Sequence, residues 1–163
     1  MDNVCMDRKS ALRLIAAIVL CELVGGLGSV FTIPAINTWY AALSKPAFNP
    51  PNWLFGPVWT MLYLIMGVAL YLVWERGVSK KGVAVAMETF GVQLFLNFMW
   101  SVLFFGLRSP LYGLIGIAFL FVAILATAAM FFRVSRAAGM LMLPYLAWVA
   151  FAALLNFYVF ILN

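Results

Sequence analysis

Five long stretches almost free of charged residues constrain this chain more than any other feature. They cover residues 12–34, 53–75, 83–107, 110–132 and 139–162. Each is long enough for the roughly 20 residues with which a helix crosses a bilayer. They are also much longer than a membrane β-strand of about 10 residues, and they lack its alternation of apolar and polar side chains. The sequence therefore predicts an all-α integral membrane bundle of five transmembrane helices, with residues 1–163 forming a single domain.

Composition agrees with a membrane protein and excludes several kinds of function. Of the 163 residues, 67% are hydrophobic and 9% are charged, against roughly 25% charged in an ordinary soluble domain. With no histidine and two cysteines, the chain offers no Ser/His/Asp triad, no Cys/His pair and no zinc signature. No basic run exceeds two residues, so we expect no nucleic-acid partner. We also expect no metal site and no cofactor.

Basic residues are divided unequally between the two sides of the predicted bundle. Lys45 and Arg108 lie on the side of the first loop, and the other basic residues lie on the side of the N-terminus. By the positive-inside rule, this predicts a multi-pass protein of a prokaryotic cell membrane, with the N-terminus in the cytoplasm and the C-terminus outside. The residues on the N-terminal side are Arg8, Lys9, Arg13, Arg76, Lys80, Lys81, Arg133 and Arg136.

The first loop, residues 35–52, is the one connection long enough to form a structure of its own. The stretch from Trp39 to Trp53 contains three prolines and four aromatic residues. Because proline fixes φ and restricts the residue before it, a continuous helix cannot run through this stretch. Two interpretations stay open. The loop is either an aromatic belt at headgroup depth, or an ordered lid whose stiff residues lose little entropy on ordering.

Polar and aromatic residues recur along one face of three of the spans. In the third span Gln93, Asn97 and Ser101 are spaced four apart, continuing a row from Thr89, with Trp100 beside Asn97; such spacing places them on one face. Because a buried amide without a partner costs a few kcal/mol, this face should point to other helices or to a cavity. Similar stripes are Gly56, Trp59 and Tyr63 in the second span and Tyr145, Trp148, Ala152 and Asn156 in the fifth.

The depths of these stripes can be compared from a helical rise of about 1.5 Å per residue. Trp59 and Asn156 lie roughly 9 Å, and Asn97 about 15 Å, from the outer ends of their spans. Only Trp148 falls clearly deeper, at about 21 Å. Any single stripe fits ordinary helix packing. Three level stripes beneath an aromatic loop predict instead a mostly apolar ligand pocket with a few converging polar groups.

Glu22 is a carboxylate within the first predicted span. An ionisable side chain at such a depth is paired, protonated or in contact with a wet cavity, and it is a functional candidate by default. Proton coupling through Glu22 is therefore a further hypothesis.

Four motifs follow one another along the chain. They are Trp39-Tyr40-x-x-Leu43-x-Lys45-Pro46-x-Phe48-x-Pro50-Pro51, Phe55-x-x-x-Trp59-x-x-Leu62-Tyr63, Asn97-x-x-Trp100-Ser101, and Leu143-Pro144-Tyr145-x-x-Trp148 with Leu155-Asn156. From residue 39 to 157 the chain closely resembles the translocator protein family, formerly the peripheral-type benzodiazepine receptor or tryptophan-rich sensory protein. The resemblance implies a five-helix membrane protein, commonly a homodimer, that binds porphyrins, isoquinoline carboxamides and benzodiazepines.

The resemblance also implies which residues line the pocket. Tyr145 and Asn156, from the stripe in the fifth span, complete the predicted ligand site. The family's sterol motif requires a Tyr and then a basic residue where this chain has Phe157 and Ile161, which puts high-affinity recognition of cholesterol in doubt. The family's pocket positions fall on Trp39, Tyr40, Trp59, Tyr63, Asn97, Trp100, Ser101, Trp148 and Ala152.

Three functions fit these residues. The first is a non-enzymatic receptor or transporter for porphyrins and related flat, apolar ligands, held by aromatic faces and a few hydrogen bonds. The second, less favoured, is an enzyme for light-dependent oxidative degradation of bound porphyrin, with Trp59 and Trp148 near the ring. The third is a proton-coupled exporter of small apolar molecules that uses Glu22.

Overall fold

Five long helices and one short helix make up the computed structural model, which describes residues 7–163 and leaves residues 1–6 outside. The five long ones, counting α4 with the π-helical turn Val102–Gly106 that continues it, are long and apolar enough to span a membrane. This confirms the predicted all-α membrane bundle. In order, the described helices are α1 (Arg8–Ile36), α2 (Trp39–Ala42), α3 (Asn52–Trp74), α4 (Lys81–Ser101), α5 (Pro110–Val134) and α6 (Arg136–Leu162).

Serine caps determine where the last two helices begin. The Oγ atom of Ser109 accepts a hydrogen bond from the backbone N–H of residue 112 at 3.3 Å, and Pro110 occupies the first turn of α5. Ser135 accepts in the same way from the backbone N–H of residue 138 at 3.4 Å. A serine N-cap supplies partners for N–H groups that the first turn leaves unpaired, and proline has no N–H to pair there. Helix α6 therefore begins at Arg136 rather than at 139, where the apolar pattern starts.

The long helices form a ring in the order α1, α3, α6, α5, α4, with α4 returning to α1. The interior of the ring holds large apolar side chains such as Met66, Phe90 and Phe131, and the rings of Phe90 and Phe131 stack with centroids 5.6 Å apart. Outward-facing positions carry mainly Leu, Val, Ile and Phe. Such a surface is suited to lipid, so the chain is a multi-pass membrane protein.

Helices α1 and α3 are held closely together in the half of the bundle away from the first loop, here called the far half. A Cβ atom added to Gly67 of α3 would lie 2.6 Å from the Cα of Ile18 on α1, so the two backbones approach each other closely at this glycine. An ion pair between Arg13 and Glu75, 2.9 Å long, joins the same helices near their ends. The other half, nearest the first loop, is called the loop half.

The connection between α1 and α3 packs against the loop half and is not a continuous helix, as its prolines predict. The Tyr40 hydroxyl donates to Oδ1 of Asn49 at 3.0 Å, and Nζ of Lys45 lies 4.8 Å from the centre of the Tyr40 ring. The side chain of Asn163, after α6, accepts from the backbone N–H of Ser44 at 2.9 Å and donates to its carbonyl at 3.0 Å. These contacts fasten the connection to itself and to α6.

Aromatic residues of this connection divide between two environments. Tyr40 is 7% exposed and packs on Phe104 and Phe105. Burial raises the pKa of the Tyr40 phenol, and the hydrogen bond to Asn49 lowers it in part, so the phenol remains a donor at neutral pH. Trp53, at the start of α3, is 71% exposed, as an interfacial aromatic residue would be. The action of the loop as a lid stays a prediction.

Candidate functional site

A hydrogen-bonded network of four buried side chains crosses the centre of the bundle. Tyr63 of α3 donates its hydroxyl hydrogen to Oδ1 of Asn97 on α4. Nδ2 of Asn97 donates to the hydroxyl of Tyr145 on α6 at 2.7 Å, and that hydroxyl donates to Oε1 of Gln93 at 3.0 Å. The polar face of α4 thus points inward, as its spacing predicts, because its amides find partners there.

A second polar contact lies nearer the first loop. Nε1 of Trp100 donates to Oδ1 of Asn156 at 3.3 Å, and Nδ2 of Asn156 donates to the carbonyl of Pro110 at 2.8 Å. The ring of Trp100 is roughly parallel to those of Trp59, at 28° and 6.3 Å, and of Phe104, at 17° and 5.5 Å. These three rings therefore form one stack, here called the aromatic wall.

A cavity of about 380 Å³ lies in the loop half, beside this wall. Its volume is within the range of small-molecule sites. Tyr63 and Asn97, from the polar network, belong to its lining, which is otherwise mainly apolar and aromatic. Most of the predicted site residues are brought together here. Those that line the cavity are Tyr40, Trp59, Tyr63, Asn97, Trp100, Ser101, Ala152 and Asn156.

Three predicted site residues lie outside the cavity lining. The ring of Trp39 packs against Phe104 with centroids 5.4 Å apart. Tyr145 is fully buried within the polar network. Trp148 packs against Phe55 at 6.0 Å, and its Nε1 is the one buried side-chain nitrogen or oxygen among residues 7–163 that lacks a hydrogen-bond partner. Of the predicted stripe in α6, only Ala152 and Asn156 line the cavity. The spacing of the stripe shows that its residues share a face, but it does not show how far the helix is rotated toward the cavity.

One wall of the cavity comes from α1, which the prediction of the site did not include. Its members there are small: a Cβ atom on Gly25 would overlap the ring of Tyr63, and one on Gly28 would lie 3.0 Å from Oγ of Ser101. Ser29 also lines the cavity. The sequence offered a signal in the run Gly25-Gly26-Leu27-Gly28-Ser29, whose small residues let α1 approach the bundle closely.

The π turn after α4 adds two further aromatic residues to the lining, Phe104 and Phe105. The backbone N–H of Leu107 donates to the carbonyl of Val102 at 2.8 Å, five residues back. The extra residue in this turn changes the register of the side chains, and both phenylalanines are buried. Their part in the cavity depends on this local widening, for which the sequence carries no recognised signal.

Among residues 7–163, Glu22 of α1 is the one acidic side chain in the cavity lining, and neither Lys nor Arg contributes to that lining. Glu22 is half-buried, and it also borders a groove on the outside of α1. The described lining is therefore mainly apolar and aromatic, with one carboxyl group at its edge.

Known proteins with similar sequences span nearly the same length. A family model described as the TspO/MBR family matches residues 17–162. The tryptophan-rich protein TspO of Archaeoglobus fulgidus is 47% identical over 152 residues, or 93% of this chain and 97% of that protein. The translocator protein of Homo sapiens is 42% identical over 133 residues, or 80% of this chain and 78% of that protein. The tryptophan-rich sensory protein of Cereibacter sphaeroides is 35% identical over 127 residues, 78% of each chain.

Proposed function

Because the chain belongs to the TspO/MBR family, we propose that its cavity binds porphyrins and related flat, apolar ligands such as isoquinoline carboxamides and benzodiazepines. Relatives named translocator and sensory proteins put the chain among membrane receptors or transporters. The observation that carries the proposal is the stack of Trp59, Trp100 and Phe104 in the cavity lining. A flat aromatic ligand can make further stacking and edge-to-face contacts with such rings.

Polar groups at the cavity surface would orient the ligand. The Ser101 hydroxyl lines the cavity, and no other described residue forms a hydrogen bond with it. The amides of Asn97 and Asn156 are held in place by their partners. Fixed polar groups in an apolar site select ligands with matching donors and acceptors. Since the chain has no histidine, a metal-free porphyrin should bind at least as tightly as haem.

The test is a titration in the dark with metal-free protoporphyrin, using protein in lipid nanodiscs and the fluorescence anisotropy of the porphyrin. Nanodiscs without protein give the contribution of partition into lipid. Replacing Trp59 and Trp100 by Leu removes two aromatic side chains from the cavity lining, each worth about 1 kcal/mol of contact with the ligand. The double variant should therefore bind about 30-fold more weakly.

Trp53→Leu is the matched control, because Trp53 is 71% exposed and lies outside the cavity lining. Saturable binding by the wild type and by this control, weakened in the double variant, supports the proposal. An anisotropy change that grows linearly with porphyrin, equal with and without protein, contradicts it.

Photo-oxidative degradation of bound porphyrin is a second candidate function. Trp59 lines the cavity and stacks with Trp100, whereas Trp148 lies outside the cavity lining. An electron donor to an excited porphyrin would thus be Trp59, with Trp100 next to it. Loss of porphyrin absorbance only in light, slowed in Trp59→Phe and unchanged in Trp148→Phe, would support this activity. The same rate with denatured protein would rule it out.

Proton-coupled export of small apolar molecules is a third candidate, favoured by the position of Glu22 in the cavity lining. An intramembrane carboxyl next to a ligand site can couple its own protonation to occupancy. In proteoliposomes, Glu22→Gln should abolish transport driven by a pH gradient while binding persists. Transport by the variant at the wild-type rate would exclude the mechanism.

We also propose the membrane, the orientation and the oligomeric state of the protein. The bias of basic residues supports a prokaryotic cell membrane, with the N-terminus in the cytoplasm and the C-terminus outside. A homodimer is proposed from the family resemblance alone. Labelling of single cysteines with a membrane-impermeant reagent, introduced at Ser79 and at Ser44 in a background with Cys5→Ser and Cys21→Ser, tests the orientation. Ser44 should react from outside and Ser79 should not, and the reverse pattern would contradict it.

A further inference from the structure

The exposed part of the cavity lining is confined to two helices. Lining residues of α4 and α6 are all buried or half-buried. Within the described part of the chain, every exposed member of the lining belongs to α1 or α3, and an exposed lining residue marks where the cavity meets the surface. These exposed members are Gly26, Ile33, Asn52, Gly56 and Thr60.

The contacts of α1 and α3 explain why an opening lies between them. In the far half the two helices touch at Gly67 of α3, and they also touch where the Tyr63 ring of α3 packs on Gly25 of α1. Nearer the loop, α1 packs on α4 instead, where the Phe31 and Phe98 rings are 6.1 Å apart. In the same half, α3 packs on α6, where the ring of Phe55 on α3 contacts that of Trp148 on α6. The two helices therefore diverge in the loop half.

Hydroxyl groups beside this opening do not bridge it. Thr60 of α3 donates to the carbonyl of Gly56 on its own helix at 3.1 Å. Ser29 of α1 donates to the carbonyl of Gly26 at 2.6 Å, again within its own helix. Satisfied in this way, both side chains border the opening without a hydrogen bond across it, and neither presents an unpaired donor to lipid.

The opening also continues onto the outside of the bundle. A groove on α1, lined by Ile18, Val19, Glu22, Leu23, Gly26 and Leu27, shares Glu22 and Gly26 with the cavity. By contrast, the end facing the first loop is fastened by the hydrogen bonds between Ser44 and Asn163 and between Tyr40 and Asn49. The side toward lipid is thus less restrained than the side toward water.

We propose that the cavity exchanges its ligand directly with the bilayer, through a lateral portal between the loop halves of α1 and α3 flanked by Gly26 and Gly56. This inference rests on the proposed binding of an apolar ligand. It assigns the lipid phase as the source of that ligand, since an apolar solute concentrates there before it meets the portal. The two glycines leave the portal open because neither has a side chain.

The test adds side chains at the portal and measures the rates of exchange. A Cβ atom at Gly26 or at Gly56 meets nothing within 4 Å, so leucine can be accommodated, and it favours a helix more than glycine does. Gly91→Leu is the matched control, because Gly91 is exposed on α4, has equally open surroundings and lies outside the cavity lining. Stopped-flow fluorescence with metal-free protoporphyrin in nanodiscs gives the association and dissociation rates.

In the Gly26→Leu, Gly56→Leu double variant we expect both rates to fall at least about tenfold, which is a barrier higher by about 1.4 kcal/mol. A series at Gly56 of Ala, Val and Leu should slow exchange in order of size, which keeps the test informative if the double variant folds poorly. An unchanged association rate, or slower association with faster release, overturns the portal. Faster exchange in Asn163→Ala would overturn it too, because it would assign entry to the loop. Absence of saturable binding in the wild type would instead overturn the proposed function.

Discussion

Removing one hydroxyl at either of two places in the central network should have unequal effects on stability. In Tyr145→Phe, the Nδ2 of Asn97 loses its acceptor and the Oε1 of Gln93 loses its donor. Gln93 is fully buried and lies outside the cavity lining, so water cannot replace the donor that its Oε1 loses. In Tyr63→Phe, Oδ1 of Asn97 alone loses a donor, and Asn97 borders the cavity.

The magnitudes follow from the number of groups left unpaired. A hydrogen bond between transmembrane helices contributes about 0.6 kcal/mol on average, and a buried group left without a partner costs about 1–3 kcal/mol. Tyr63→Phe should therefore lower the free energy of unfolding by roughly 0.5–1 kcal/mol. Tyr145→Phe, with two stranded amide groups, should lower it by about 2–4 kcal/mol.

Reversible unfolding in mixed micelles of increasing denaturing detergent measures both variants, with Tyr112→Phe as the control because Tyr112 is 52% exposed. The double variant should lose less than the sum of the single losses, since both tyrosines pair with Asn97 and contacting residues are not additive. Equal losses for the two single variants, or a larger loss for Tyr63→Phe, would contradict this prediction.

Three further predictions concern other parts of the molecule. Gly67→Leu should destabilise the protein by about 1–3 kcal/mol in the same unfolding assay, because a side chain there meets the backbone of Ile18. Trp148→Phe should change the equilibrium constants for unfolding and for porphyrin binding by no more than about twofold, because it removes an N–H that has no partner. Asn163→Ala should increase the rate of proteolysis near Ser44 severalfold, since both hydrogen bonds between these residues are lost.

Matched controls separate these effects from general damage. For the glycine, Gly82→Leu should change stability little, because a Cβ atom there meets nothing within 4 Å. For Trp148, a tenfold loss of affinity would show that its ring reaches the ligand after all. For Asn163, unchanged proteolysis in the variant would mean that the other contacts of the loop suffice to order it.

The five helices and the inward polar face of α4 could be predicted because lipid excludes unpaired polar groups. Gln93 and Asn97 had to face the interior, and depth along neighbouring spans then placed Trp59 and Asn156 at a common level. Aromatic and amide side chains could therefore be placed from the sequence, because their chemistry restricts where they can lie.

The parts that could not be predicted depend on shape. The wall from α1 is built from glycines such as Gly25 and Gly28, whose contribution is the space that a missing side chain leaves. The inward turn of Phe104 and Phe105 depends on a π turn that sequence spacing does not reveal. The rotation of α6 that turns Trp148 away from the cavity surface is set by packing against Phe55 and other neighbours. Periodicity defines which residues share a face but leaves the angle of that face undetermined.

The central network of Tyr63, Asn97, Tyr145 and Gln93 acts as a rigid floor beneath the cavity. Its hydrogen bonds are already made within the protein, so a ligand resting on the floor gains nothing by rearranging it. Changes of shape on occupancy are then directed to α1 in the loop half, on the less restrained side toward lipid. A protein that detects whether the cavity is filled would find that information on the outer flank of α1, and not in the far half of the bundle.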